Sequence, residues 1–474
     1  MNENILKKEF QLPKCDKKAL GRFILSFLIP NIVFLLVCFF LSATRPVINI
    51  DYIFPCLLLA FNNKVIRITG VLSYVVTILI EAYMIIVQFF HFLDLAALRD
   101  FIPFVFDAPS EYIFLYSLLV LLLIVLPLFA WYLNEKQQKI YVTLLSIFVF
   151  ALYYLFGYMG GFTYTYQKSD YVAKNYYIFS QFRSVETLRD GLFTRSLYEP
   201  AQLLPYPKDR EDRERAAEVI KPPYNGKILL IVSESLNSLK NNQAQQEVFL
   251  KVIEQKNNYD FLVLGEIRVD GATVQGELRE LCNLTTENGH DTRHFDMGNF
   301  SMCLPQILNK QNYHTVSFHG AGSTMYHRRS LYPKLGFKKM VFNEQMQDKK
   351  RCHSFKGTCD SEIFSLVAKE FANNDKSFVY WLTLTSHYPY SKKDIFNNRF
   401  ECEKFDIKND SYICRNIKMH TQFFDQLAEL IQQPEMKGVE ILVAGDHMSP
   451  TFEENIASIR KFKTTSFLHL KIKD

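Results

Sequence analysis

Ile228-Leu-Leu-Ile-Val-Ser-Glu234 decides how the second half of this chain is read. An unbroken apolar run of this length, closed by a carboxylate, reads as a strand buried on both faces of a parallel sheet. The form recurs. Glu440-Ile-Leu-Val-Ala-Gly-Asp446-His447 ends in two metal-ligand side chains, and His314-Thr-Val-Ser-Phe-His319 and Trp381-Leu-Thr-Leu-Thr-Ser-His387 each end in a histidine. Working outward, strand candidates at 228–233, 260–265, 314–318, 378–385, 439–445 and 465–472 alternate with helix-like stretches at 243–256, 303–312, 361–373 and 415–433. That alternation predicts an α/β sandwich with a mainly parallel central sheet over residues 226–474, its working residues at the carboxyl ends of the strands.

The first part of the chain differs. Segments 23–43, 68–92, 112–133 and 140–161 are long, apolar and almost free of charge, with Glu81 inside the second of them. Crossing a bilayer takes roughly 20 apolar residues, so each qualifies. A shorter fifth segment, 46–63, contains Asp51. Basic residues cluster at Lys7, Lys8, Lys14, Lys17, Lys18 and Arg22, then at Lys64 and Arg67, then at Lys136 and Lys139, while the loops between hold Arg45 and Arg99. The positive-inside rule then predicts a five-helix transmembrane domain at 1–162, multi-pass, with everything after about 165 outside the cytosol. Four spans would leave the large domain cytosolic. Residues 163–225 read as interfacial helices and a charged, proline-punctuated linker. A net charge of +5, partly used by the membrane-flanking loops, makes no case for nucleic acid.

Of nine cysteines, six lie in the second half as near neighbours: Cys282 with Cys303, Cys352 with Cys359, Cys402 with Cys414. Their connectivity is open from sequence. Metal thiolates are the alternative, but no Cys-x-x-Cys spacing is present, and local pairs in an external domain favour disulfides and an oxidising compartment.

Gly271-Ala-Thr273-Val-Gln-Gly-Glu277 presents a hydroxyl in a glycine-flanked turn. Glu234, Thr273, Asp446 and His447 together form a four-ligand divalent metal set in which one ligand is also a nucleophile. Met325-Tyr326-His-Arg328-Arg-Ser-Leu-Tyr332 places a cation between aromatics. Arg328, His319 and His387 are the candidates for neutralising charge on a transferring phosphoryl or sulfuryl group. Singly, each has a plainer reading: a histidine after a strand is usually a structural hydrogen bonder, and Glu277 is a helix cap. Glu81, inside an apolar segment, is a functional candidate by default.

In that order and spacing the motifs resemble the sulfatase-like branch of the alkaline phosphatase superfamily, in particular membrane-anchored phosphoethanolamine transferases and lipoteichoic-acid-synthase-like phosphoglycerol transferases. The resemblance implies Thr273 as nucleophile, a metal (Zn or Mn) on Glu234, Thr273, Asp446 and His447, and substrate phosphate held by Tyr326, Arg328 and His387, with His319 beside them. It implies a monomeric enzyme of a bacterial inner membrane with a periplasmic catalytic domain, a membrane phospholipid donor, and an envelope glycan or lipid acceptor such as lipopolysaccharide. The local cysteine pairs are similar to those of the phosphoethanolamine transferases. Two departures argue against a second, substrate-side metal: Tyr388 follows His387 where a glycine is usual, and the stretch just after His447, residues 448–455, holds no further histidine. Thr273 also lacks the Cys/Ser-x-Pro-x-Arg context of a true sulfatase. Hydrolysis of a phosphoric ester, or an inactive scaffold, are the other readings of the same residues.

Overall fold

The computed structural model describes residues 17–41, 43, 45–89, 110–134, 144–148, 151, 178–182, 201–207, 219–220 and 226–474, apart from 288, 354, 452 and 454. The chain divides into two compact units, 1–88 with 114–191, and 89–113 with 192–474.

In the first unit, helices α1 (Lys17–Leu41), α3 (Lys64–Phe89) and α4 (Ser110–Leu133) are separated by a short helix α2 (Ile53–Ala60). By length and composition, three stretches suffice to cross a membrane: Lys17–Leu41, Lys64–Ile86 and Ile113–Leu133. The expected span 46–63 is not one. It folds as strand β1 (Ile48–Asn49), a 3-10 turn and α2, and at about 1.5 Å per residue the apolar helix Ile50–Ala60 covers only about half of a ~30 Å hydrocarbon core. Asparagines interrupt it at both ends. The Asn49 side chain accepts from the Asp51 N–H, and Asn63 Oδ1 accepts from Val65 N and Ile66 N to start α3. The fifth expected span, 140–161, lies largely outside the described residues.

Glu81 is fully buried in α3 and doubly satisfied. Arg45 Nε donates to Oε1 at 2.7 Å and Asn49 Nδ2 to Oε2 at 2.9 Å. Arg45 in turn donates to Asn31 O and Oδ1 on α1. β1 pairs in parallel with β2 (Ile178–Phe179), a segment also held by Asp51, which accepts from Ser180 Oγ and Phe182 N.

The second unit is built on an eight-stranded sheet. Strands β4 (Lys227–Ser233), β8 (His314–His319), β9 (Lys339–Val341), β10 (Ser377–Leu382) and β11 (Glu440–Gly445) run parallel in the order β11-β4-β10-β8-β9. The sheet is mixed, five strands in parallel register and the antiparallel pairings all made by one strand. Beyond β11 lies β12 (Arg460–Ile472), antiparallel to it and to both β5 (Asn237–Leu239) and the long β6 (Tyr259–Arg268). An apolar run does not encode strand direction, which pairing across the sheet sets.

Both faces of the parallel half are buried, which explains the unbroken apolar runs. Leu229, Ile231, Val379 and Trp381 pack with α5 (Asn242–Ile253), α9 (Phe364–Asn373) and α10 (Tyr412–Ile431). Ile228, Leu230, Val232, Tyr380 and Leu382 face α6 (Thr273–Cys282), α7 (Leu304–Asn309) and α8 (Arg328–Leu335). The region expected to be linker also contributes structure: β3 (Gln202–Pro205) pairs antiparallel with β7 (Leu284–Glu287). Three disulfides close as expected, Cys282–Cys303, Cys352–Cys359 and Cys402–Cys414, and Cys38 and Cys56 are free among the described residues.

Register positions the site. Gly445 stands opposite Ser233, Val232 opposite Leu382, and Leu382 opposite His319. Four parallel strands therefore end level, and the residues just past them, Glu234, Asp446, Thr383 and His319 at its own strand end, share one edge of the sheet.

Candidate active site

Three side chains converge at that edge. Glu234, Asp446 and His447 offer ligand atoms all within 4.8 Å of one another. His447 Nε2 is 3.5 Å from Glu234 Oε1 and 3.3 Å from Asp446 Oδ2. The Thr273 hydroxyl, on the first residue of α6, lies 3.3 Å from both Glu234 Oε2 and His447 Nε2. The nucleophile candidate thus sits among the metal-ligand candidates and at a helix N-terminus, where backbone N–H groups favour negative charge.

These residues fit a divalent cation. Asp446 Oδ2 is buried without a hydrogen bond, a costly state for a carboxylate oxygen unless a ligand completes it. Burial, then the neighbouring Glu234 carboxylate, push the Asp446 carboxyl up to about 7. Burial lowers the His447 imidazole, but the Asp446 and Glu234 carboxylates outweigh it and hold that group above its usual range. Two acids crowded in a dry site with one imidazole is an arrangement that a cation relieves, releasing protons as it binds. Two oxygens, one imidazole nitrogen and a hydroxyl suit zinc or manganese chemistry.

Backbone contacts deliver the groups. Arg279, buried, donates from Nη1 to Asp446 O at 3.0 Å and from Nη2 to Gly445 O at 2.6 Å, fixing the turn after β11. Gly276 lets α6 approach: a Cβ there would stand 2.7 Å from Asp446 Cβ and 2.8 Å from its Cα. The turn before α6 has Gly271 at φ +102° and Gln275 Oε1 accepting from Ala272 N. Glu234 is held through its own backbone, its N–H donating to Thr383 Oγ1 and its carbonyl accepting from Ser386 Oγ.

A second buried group stands beside the first. Arg328 Nε donates to Glu277 Oε1 at 3.1 Å, Tyr332 OH donates to the same oxygen at 3.0 Å, and Arg328 Nη1 lies 3.4 Å from His319 Nε2. Glu277, one helical turn after Thr273, therefore anchors the arginine as well as belonging to the nucleophile's helix. Burial raises its carboxyl, opposed by Arg328 and Tyr332. The Tyr326 ring lies under the Arg328 guanidinium at 5.0 Å, and Tyr326 and His327 both take left-handed backbone angles ahead of it.

His319, His387 and His447 share one pattern. Each places Nδ1 on a main-chain carbonyl, of Leu382 at 3.0 Å, Tyr388 at 2.7 Å and Met448 at 2.9 Å respectively. A carbonyl only accepts, so Nδ1 carries a proton in all three, and whenever a ring is neutral its lone pair is at Nε2. Burial lowers His319 well below the usual range, and His387 to about 4, so both are neutral near pH 7.

Residues 272–469 match the family model described as Sulfatase. Thr273, His319, Arg328, His387, Asp446 and His447 fall inside the matched segment and Glu234 precedes it. No curated protein matches the chain in sequence. Among solved structures, the sulfatase-type domain is similar to the lipoteichoic acid synthase LtaP of Listeria monocytogenes, at 16% identity over 52% of this chain and 65% of that one, TM-score 0.40. It is similar to the Streptococcus pyogenes phosphoglycerol transferase GacH, at 14% identity over 55% and 70%, TM-score 0.38. It is also similar to the C-terminal periplasmic domain of EcEptC from Escherichia coli, at 12% identity over 53% and 73%, TM-score 0.34. The match spans less than two thirds of the Listeria chain.

Of the sequence-derived candidates, the structure brings Glu234, Thr273, Asp446 and His447 into one cluster and Glu277, His319, Tyr326 and Arg328 into another, while His387 senses the charges of His447, Asp446 and Arg328. Arg279, Thr383 and Ser386 were missed. Thr383 and Ser386 carried a weak signal, lying in the stretch that ends at His387. Arg279 carried none, because a buried arginine on a helix looks like any exposed one in sequence.

Proposed function

We propose that this protein moves a phosphate-ester head group, phosphoethanolamine or phosphoglycerol, from a membrane phospholipid to an envelope glycan or lipid through a phospho-threonine on Thr273. The observation that carries this reading is the Thr273 hydroxyl, 3.3 Å from both Glu234 Oε2 and His447 Nε2. A divalent cation held by Glu234, Asp446, His447 and the threonine oxygen, zinc or manganese by its donors, supplies the charge that lowers the hydroxyl pKa and polarises a phosphate oxygen.

In the first half-reaction Thr273 Oγ1 forms a bond to phosphorus, its proton leaves, and the bond from phosphorus to the diacylglycerol oxygen breaks, that oxygen gaining a proton. Arg328, held by Glu277 and His319, faces the equatorial oxygens as a fixed cation. In the second half-reaction an acceptor hydroxyl forms the new bond to phosphorus and the bond to Thr273 Oγ1 breaks. His387, neutral and with its lone pair at Nε2, takes the acceptor's proton. Three membrane-crossing stretches support a lipid donor. Three disulfides in the catalytic unit support placement in an oxidising compartment, the periplasm of a Gram-negative cell.

The test is mass spectrometry of the full-length protein incubated with phosphatidylethanolamine or phosphatidylglycerol. The expected result is a head-group adduct on Thr273 that disappears in Thr273→Ala, together with at least ~1000-fold loss of turnover. Wild-type turnover in Thr273→Ala overturns the mechanism. Release of the free phosphate ester without any modified envelope product makes the protein a hydrolase.

A further inference from the structure

We infer that Ser235 is a positioning residue that sorts the oxygens of both metal-facing carboxylates, and that helix α10 holds Ser235 through Asn416 and His420. The inference rests on Glu234, Asp446 and His447 holding a cation.

Ser235 hydrogen-bonds one oxygen of each carboxylate. Ser235 Oγ donates to Glu234 Oε1 at 2.8 Å, an oxygen also 3.5 Å from His447 Nε2, while Oε2 lies 3.3 Å from Thr273 Oγ1. Ser235 N–H donates to Asp446 Oδ1 at 2.8 Å, joined by His447 N–H at 2.6 Å, which leaves Asp446 Oδ2 unbonded and 3.3 Å from His447 Nε2. One residue therefore fixes two acids supplied by two different strands. A carboxylate so pinned loses little rotational freedom when a cation takes its other oxygen.

Ser235 reaches both acids only because its backbone is left-handed, at φ 57°. Residues other than glycine avoid that region unless their surroundings enforce it. Here the enforcement comes from the opposite layer. Asn416 Nδ2 donates to Ser235 O at 3.2 Å and His420 Nε2 lies 3.1 Å from the same oxygen; the two are four residues apart, on one face of α10. All three residues are buried. Asn416 is itself fixed by Asn237 Nδ2 at 2.7 Å, and Asn237 also holds Ser449, two residues past His447.

The test uses the full-length protein in detergent, stripped of metal, with Mn2+ as the probe, followed by calorimetric titration and Mn2+ electron paramagnetic resonance, and with the melting temperature of the apo form as a control. Ser235→Gly keeps the backbone donor and accepts the left-handed angle while removing Oγ, so it folds as wild type does. It is expected to weaken Mn2+ binding at least about 10-fold and to broaden the Mn2+ spectrum. His420→Leu is expected to weaken it similarly, His420→Gln to restore it, and the Ser235→Gly/His420→Leu pair to lose less than the product of the single losses. Wild-type Mn2+ affinity in Ser235→Gly overturns the inference, as does equal loss in His420→Gln and His420→Leu. Glu234→Gln separates the two readings. If it abolishes Mn2+ binding while Ser235→Gly does not, only the role of Ser235 fails; if Glu234→Gln binds Mn2+ normally, the metal assignment itself fails.

Discussion

His420 shows how a single residue ties the site to solution conditions. Burial lowers its imidazole to about 4, against about 6.5 in an unfolded chain. The folded state thus binds fewer protons than the unfolded one between these values, so its contribution is complete above about pH 6.5 and is lost as pH falls toward 4. His387, also held at about 4, acts in the same direction. Asp360 opposes them over part of the window, since burial raises it to about 6 and favours the protonated folded state there. Asp446, raised to about 7, and Glu277, also raised, oppose them as well, while His319 adds to the histidines. The part due to His420 is therefore read as a difference: between about pH 6.5 and 4 the slope of unfolding free energy is expected to be smaller in His420→Gln than in wild type by up to about 1.4 kcal/mol per pH unit. An unchanged slope in His420→Gln would show that the ring titrates normally.

At the scale of elements, α10 is fastened at its start. Ser411 caps it, accepting from Cys414 N, and Cys414 in its first turn is bonded to Cys402. Two residues later the helix supplies Asn416, then His420, to Ser235. Removing a disulfide that closes a loop of this size costs about 2–4 kcal/mol. Cys402→Ser/Cys414→Ser is therefore expected to lower the melting temperature and to weaken Mn2+ binding, whereas Cys352→Ser/Cys359→Ser, whose bridge carries no contact to Ser235, lowers stability with Mn2+ affinity retained. Equal loss of affinity in both would mean that the bridges act only through global stability.

At the scale of the whole molecule, each unit carries a buried ion pair joining distant segments. In the second unit it is Arg328 with Glu277; in the first it is Arg45 with Glu81, at 2.7 Å and excluded from solvent. Removing one partner leaves an uncompensated charge and costs about 3–5 kcal/mol, while replacing both is far milder. Arg45→Met is expected to lower thermal stability in detergent markedly and Arg45→Met/Glu81→Met to recover most of it. Recovery of stability without activity would assign Glu81 a role beyond packing.

The strands that end at Glu234, His319, His387 and Asp446 and the proximity of the six cysteines were legible in the sequence, and so was the set Glu234, Thr273, Asp446 and His447 that the fold brings together. Ile228–Val232 and Ile441–Ala444 are apolar because both sheet faces are covered, and residues just past such strands share an edge by topology. Strand direction, the shortened helix at 53–60 and the strand at 202–205 were not legible. Hydrophobic periodicity reports burial but not the partner that provides it. The same limit hid Arg279, Ser235, Asn416 and His420: polar residues acquire their meaning from the group they face, and that group lies on another element, up to 211 residues away in the bond from Ser235 to Asp446. Local composition determined the layers and the candidate metal ligands; only the folded chain decided how those side chains are held and aimed, because hydrogen bonds between distant elements leave no local pattern in the sequence.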